Sequence, residues 1–232
     1  MAERARCVAI VGAESTGKTQ LAAQLADALR ARTGRRVAWV PELLRTWCDR
    51  EGRTPHAEEQ ADILEAQHAL IDAAAAEHDW VICDTTALMT AVYSQLLFGD
   101  SSLDARAGEL HRRSVVLTLL TALDLPWVAD GIQRDGPQVR GPVDTALRRL
   151  MADQGVAFGV VSGAGASRLD HALRAVAPLL GTTPSSTGFF TGLEMPRQGR
   201  QRWACECCLS EEEQALRRLA GAAPQRPVQD RY

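Results

Sequence analysis

Gly12-Ala13-Glu14-Ser15-Thr16-Gly17-Lys18-Thr19 is the stretch whose reading decides the fold. It fits G-x-x-x-x-G-K-[ST], a loop whose successive backbone N–H groups turn inward around phosphate oxygens. Its surroundings match. Residues 7–11 (CVAIV) form a short apolar run suited to a strand buried on both faces. From Lys18 onward Leu21, Leu25 and Leu29 recur at helical spacing, up to a stop near Gly34. A strand feeding such a loop and a helix leaving it add the positive end of a helix dipole to the ring of N–H donors. Lys18 is placed to reach the β- and γ-phosphates of a nucleoside triphosphate, and the Thr19 hydroxyl to hold Mg²⁺.

Composition sharpens the reading of Lys18. The chain has 26 Lys and Arg together, and Lys18 is the only lysine among them. Where surface cations default to arginine, a single lysine marks a place that needs a compact ammonium on a flexible stem.

Working outward, the pattern alternates strand and helix. A strand over 36–40 stops at Pro41, and a long Ala-rich helix covers 57–78. A strand over 80–83 ends at Asp84, and helices follow over 86–97 and 104–112. A strand over 114–120 leads into 124–142, rich in Gly and Pro with charges between, which reads as a long loop or lid. A helix over 143–153, a strand over 157–161 and a helix over 167–179 complete the core. Five strands interleaved with helices predict a three-layer α/β/α P-loop NTPase architecture on a parallel sheet, with ligands at the carboxyl ends of the strands. Residues 1–181 form this domain, and 182–232 read as a C-terminal extension.

The 232 residues are 46% hydrophobic and 24% charged, with a net charge of −3. Those values suit a globular chain and give no basic field for nucleic acid. No run approaches the roughly 18 apolar residues of a membrane span, and the start reads as a first strand rather than a signal peptide. A cytoplasmic protein is expected; its oligomeric state is not legible. Of six cysteines, Cys7, Cys48 and Cys83 read as small core residues. Cys205, Cys207 and Cys208 crowd the extension without a neighbouring His. A metal site, redox chemistry and plain packing all remain open for them.

A P-loop alone does not separate kinases from GTPases, machines and sensors. Glu42 follows the second strand and Asp84 ends the third, so both should overhang the P-loop edge. Phosphoryl transfer needs one carboxylate to orient or deprotonate the attacking hydroxyl and another to hold Mg²⁺. Glu42 is assigned the first role and Asp84 the second, although the two can be exchanged. Arg134 and Arg140 sit among glycines and prolines, as in a kinase lid that excludes water and brings guanidinium groups onto developing charge. An N-K-x-D guanine motif is impossible with the only lysine in the P-loop. An AAA-type machine is expected to end its strand in two acids, and Asp84-Thr85 lacks the second.

Several segments resemble, in order, the ribosylnicotinamide kinase domain of NadR and its relatives. They are GAESTGKT at 12–19, PELLR at 41–45, DILEAQ at 62–67 and DTTALMTAVYSQLLFG at 84–99. DLPWVADGIQRDGPQVR at 124–140 and VVSGAGASRLDHA at 160–172 follow. The resemblance implies ATP-dependent phosphorylation of the 5′-hydroxyl of nicotinamide riboside, a step of NAD salvage. Carried over by position, Gly12, Glu14, Ser15, Thr16, Gly17, Lys18 and Thr19 hold the nucleotide, with Ser162 and Arg168 in the adenine-side loop. Trp127 stacks on the cationic pyridinium, Asp124 and Asp130 accept from ribose hydroxyls, and Arg45 steadies substrate or phosphate. Plainer roles stand beside these: a buried anchor for Trp127, a turn residue for Asp124, a solvated helix charge for Arg168. No H-x-G-H signature occurs and the chain starts six residues before its first strand. Neither adenylyltransferase nor DNA-binding function is therefore expected. A nucleotide-gated sensor that uses 182–232 to contact a partner, and a kinase of another nucleoside, are the alternative readings.

Overall fold

The computed structural model describes residues 5–128 and 136–181. Asp130, Arg134 and the whole 182–232 extension with its cysteines lie outside them. The strands are β1 (Arg6–Val11), β2 (Val37–Val40), β3 (Trp80–Asp84), β4 (Val115–Thr121) and β5 (Gly159–Val161). All pair in parallel, in the order β2-β3-β1-β4-β5. The helices are α1 (Lys18–Thr33), α2 (Leu43–Glu51), α3 (Gln60–Glu77), α4 (Ala87–Phe98), α5 (Asp104–Ser114), α6 (Arg140–Asp153) and α7 (Gly165–Val176).

The period-two geometry of β1 divides the core between the two faces of the sheet. Val8 and Ile10 pack with Leu21, Leu25 and Leu29 of α1 and with Ala172 and Val176 of α7. Ala9 and Val11 face the other way, toward Leu88 and Val92 of α4 and Leu147 and Met151 of α6. The chain is therefore a three-layer α/β/α P-loop fold with a five-stranded parallel sheet. Strand order turns about β1, so the loops leaving β1, β3 and β4 open side by side at one edge. Ile10 lies in register with Asp84, and Val11 with Leu120, which aligns the ends of the three central strands. Among the described residues no helix is long and apolar enough to cross a membrane.

The elements differ from the sequence expectation in three places. Helix α2 has no counterpart there: only Leu44 and Cys48 are buried, one turn apart, so the stretch carries too little periodicity to show. The strand expected over 157–161 pairs only at 159–161. Helix α6 begins at Arg140, with a 3₁₀ turn at Pro137–Val139 before it, so the expected loop over 124–142 is helical at its far end. Gly141 and Pro142 read as breakers, but both lie in the first helical turn, where backbone N–H groups have no intrahelical partner and proline costs nothing.

Candidate active site at the carboxyl edge of the sheet

The cradle is held from outside by side chains. Thr16 Oγ1 donates to the carbonyl of Ala13 at 2.7 Å, and Lys18 Nζ donates to the same carbonyl at 3.0 Å. Thr16 Oγ1 also lies 2.7 Å from Thr121 Oγ1 at the end of β4, and Thr121 Oγ1 donates to the Val11 carbonyl at 3.2 Å. Glycine is required at position 12 twice over. Its φ of +150° is unfavourable for an L side chain, and a Cβ would fall 2.1 Å from Thr121 Oγ1. Ser15 Oγ accepts from the Val128 N–H at 2.8 Å, fastening the loop after β4 to the P-loop.

Lys18, Thr19, Glu42 and Asp84 converge beside this cradle. Glu42 stands at the N-cap of α2, just past β2, and is 9% exposed. Burial pushes its carboxyl above the usual range; Lys18 and Arg45 pull it down, while Asp84 and Glu14 push it further up. Burial also raises Asp84, opposed by the Thr19 hydroxyl that bonds to it and by Lys18 and Arg45. Asp84 Oδ1 is buried with no hydrogen-bond partner among the described residues. An orphaned carboxylate oxygen beside a threonine hydroxyl fits a hard divalent cation that takes oxygen ligands from both and from phosphate.

Other positions fall out differently. Arg45 is exposed on α2, and Trp127 is half-buried. Ser162 is exposed, and its N–H donates to His171 Nδ1 at 3.3 Å. Arg140, expected on the lid, is instead the first residue of α6 and 8% exposed; its guanidinium donates to the Leu125 carbonyl at 2.9 Å. Arg168 is not a solvated helix charge, for it is 4% exposed. It donates to Asp124 Oδ1 at 2.8 Å and to the carbonyls of Gly163 at 2.6 Å, Thr16 at 2.9 Å and Ala122 at 3.3 Å. Asp124 spends its second oxygen on the Gly163 N–H at 2.6 Å. Both oxygens of Asp124 thus have partners within the protein.

Three site residues escaped the sequence reading. Thr121 closes the cradle, yet it falls one residue past the strand expected over 114–120. Tyr93 on α4 feels Glu42 and Glu14, and burial of its hydroxyl raises the phenol well above its ordinary value before either charge acts. Thr85, next to Asp84, has φ +69°, an uncommon angle for a β-branched residue and a local strain at the strand end. The following Thr86 caps α4 and lies 3.0 Å from His111 Nδ1, while His111 Nε2 sits 2.8 Å from Thr118 Oγ1.

Comparisons with known proteins agree with this architecture. Chains of NadR in complex with NAD and AMP-PNP, and of NadR in complex with NR, superpose with TM-scores of 0.61 and 0.63 at 20% identity. Each covers 80% of this chain, whereas this chain spans about half of theirs, 52% and 54%. Thymidylate kinase from Ehrlichia chaffeensis superposes with a TM-score of 0.52 at 14% identity, over 76% of this chain and 100% of its own. No curated protein matches by sequence. A family model described as an AAA domain matches residues 7–168, from the first strand through Arg168. The single acid at the end of β3 argued against an AAA-type machine, but it is no bar to membership of the family. With most of its length under that match and a P-loop assembled at its centre, the chain belongs to the AAA domain family.

Proposed function

We propose that the chain is an ATP-dependent phosphotransferase acting on the hydroxyl of a nucleoside-like small molecule, with nicotinamide riboside the first candidate acceptor in a cytoplasmic NAD salvage step. The observation that carries this reading is the burial of Glu42 and Asp84 together, at the mouth of a phosphate cradle that holds Lys18. A burial-raised carboxyl stands closer to neutral pH, where a general base works best. In this reading Glu42 takes the proton of the attacking hydroxyl. The new oxygen–phosphorus bond forms as the bond from the γ-phosphorus to its bridging oxygen breaks, and ADP leaves with the electron pair. Lys18 and the backbone N–H groups of 12–19 hold the phosphates in line. Thr19 and Asp84 are the residues that would hold Mg²⁺, which when bound neutralises charge on the phosphate oxygens. Arg45, Trp127 and Asp130 are assigned to the acceptor side and Arg134 to the closing segment, while Arg140, at the start of α6, holds the Leu125 carbonyl.

A second reading, a nucleotide-gated binding protein, is favoured by the AAA domain match. One experiment separates them: ADP release with MgATP across a panel of nucleosides that includes nicotinamide riboside, with Lys18→Ala as control. Acceptor-dependent turnover that the control lacks is the expected result. ATP binding without acceptor-dependent turnover anywhere in the panel would overturn the kinase reading in favour of the second.

A further inference from the structure

We propose that Arg168 is a positioning residue: its guanidinium fixes the direction of a P-loop amide and ties that amide to the root of the loop after β4 and to the loop after β5. The inference rests on the nucleotide-binding reading, since it concerns how phosphate is held. Its geometry is local. One guanidinium nitrogen donates to the Thr16 carbonyl at 2.9 Å and, more weakly, to the Ala122 carbonyl at 3.3 Å. The other bonds Asp124 at 2.8 Å and the Gly163 carbonyl at 2.6 Å.

The Thr16–Gly17 peptide is trans, as no cis bond is present among the described residues. A trans peptide sets its C=O and the following N–H on opposite sides. Holding the Thr16 oxygen from outside therefore aims the Gly17 N–H to the inside of the loop, where phosphate oxygens are received. Gly17 at φ +75° has broad backbone freedom of its own, so the peptide needs an external hold to stay in one orientation. Lysine cannot replace the guanidinium here. Four acceptors are met, two to each of two nitrogens, which a guanidinium fork serves and a single ammonium with three N–H bonds does not.

The same residue couples distant parts of the edge. Asp124 bridges Arg168 and the Gly163 N–H, so the loop after β5, the first residues after β4 and the P-loop share one ion pair, buried on its arginine side. Anything that orders the P-loop should thus steady residues 162–168 as well, even a ligand that carries no base.

The test uses the full chain and two magnesium-loaded ligands, ATP and inorganic tripolyphosphate, titrated by calorimetry. Wild type should bind both. Arg168→Lys and Arg168→Gln, checked for cooperative melting, should lose about tenfold or more in affinity, by a similar factor for each ligand. Folded variants that bind tripolyphosphate like wild type overturn the proposal. A loss confined to ATP also overturns it, by placing Arg168 with the base alone. Hydrogen exchange on wild type needs no variant: tripolyphosphate should slow amides in both 12–19 and 162–168, and protection limited to 12–19 overturns the coupling. Wild type that binds neither ligand defeats the nucleotide-binding reading itself, a result distinct from the others.

Discussion

The phosphate cradle and the carboxylate pair beside it share one edge of the sheet and are built in opposite ways. Around the cradle, Thr16, Lys18, Thr121 and Arg168 spend their donors on backbone carbonyls of residues 11, 13 and 16. The loop is held in its working shape before any ligand arrives. Glu42 and Asp84 are buried with far less support, and Asp84 Oδ1 has no partner among the described residues. Fixed geometry serves a group whose shape never changes, such as a triphosphate. An under-supported carboxylate serves a step in which a proton or a cation must be exchanged.

The contrast breaks most severely at Glu42. Glu42→Gln keeps size and burial but removes the base, so turnover should fall by roughly 10²–10⁴-fold while ATP affinity holds within about twofold. Steady-state kinetics beside calorimetry will tell; affinity falling in step with turnover would make Glu42 part of the cradle. Next in size is Gly12→Ala. The added Cβ meets Thr121 Oγ1 at 2.1 Å, and the φ of +150° resists it as well, so ATP affinity should drop about tenfold or more. Thr121→Ala in the same chain should recover only part of the loss, because the angle remains.

Acidity sharpens the comparison. The base must be ionised, so kcat/KM should rise with pH along a limb lying above the ordinary glutamate value of 4.5, and Glu42→Gln should abolish that limb. The sign for stability is opposite. With its folded value raised, the folded state holds the Glu42 proton more tightly than the unfolded chain, and stability falls as pH rises from the unfolded value through the raised one. At neutral pH the charged form is therefore a cost, and Glu42→Gln should raise Tm by about 2–4 °C. A lower Tm would show that the charge is stabilising where it lies.

The smallest effect belongs to His111, which is bonded to two threonines and held by burial down to about 4. The unfolded chain binds its proton more readily, so the stability contributed by the neutral ring is complete above about 6.5 and is lost as pH falls from there toward 4. His111→Asn should flatten that part of a Tm-against-pH curve. An unchanged slope would assign the loss to other groups.

What was legible in the sequence was local or periodic. The P-loop announces itself through fixed spacing between a buried strand and a helix, and the strand ends locate Glu42 and Asp84 without knowledge of contacts. What stayed hidden depends on pairings far apart in the chain. Thr16 meets Thr121 and Arg168 meets Asp124 across separations of 105 and 44 residues, and no local pattern marks either pair. Arg168 therefore reads as an adenine-side residue or a helix charge, and Asp124 as a ribose acceptor or a turn residue, with the ion pair between them out of sight. Helix α2 was missed because two buried residues do not make a period, and the start of α6 because Gly141 and Pro142 signal a loop everywhere except in a first turn.

Lys18 has a chemical consequence beyond phosphate. It is the only side-chain amine on the chain, 8% exposed and bonded to the Ala13 carbonyl. Acylation aimed at lysine, whether by a reagent or by an enzyme, therefore has one side-chain address, the floor of the P-loop. Such a mark would erase the charge that the cradle depends on, so for this chain modification of lysine and loss of nucleotide become a single event.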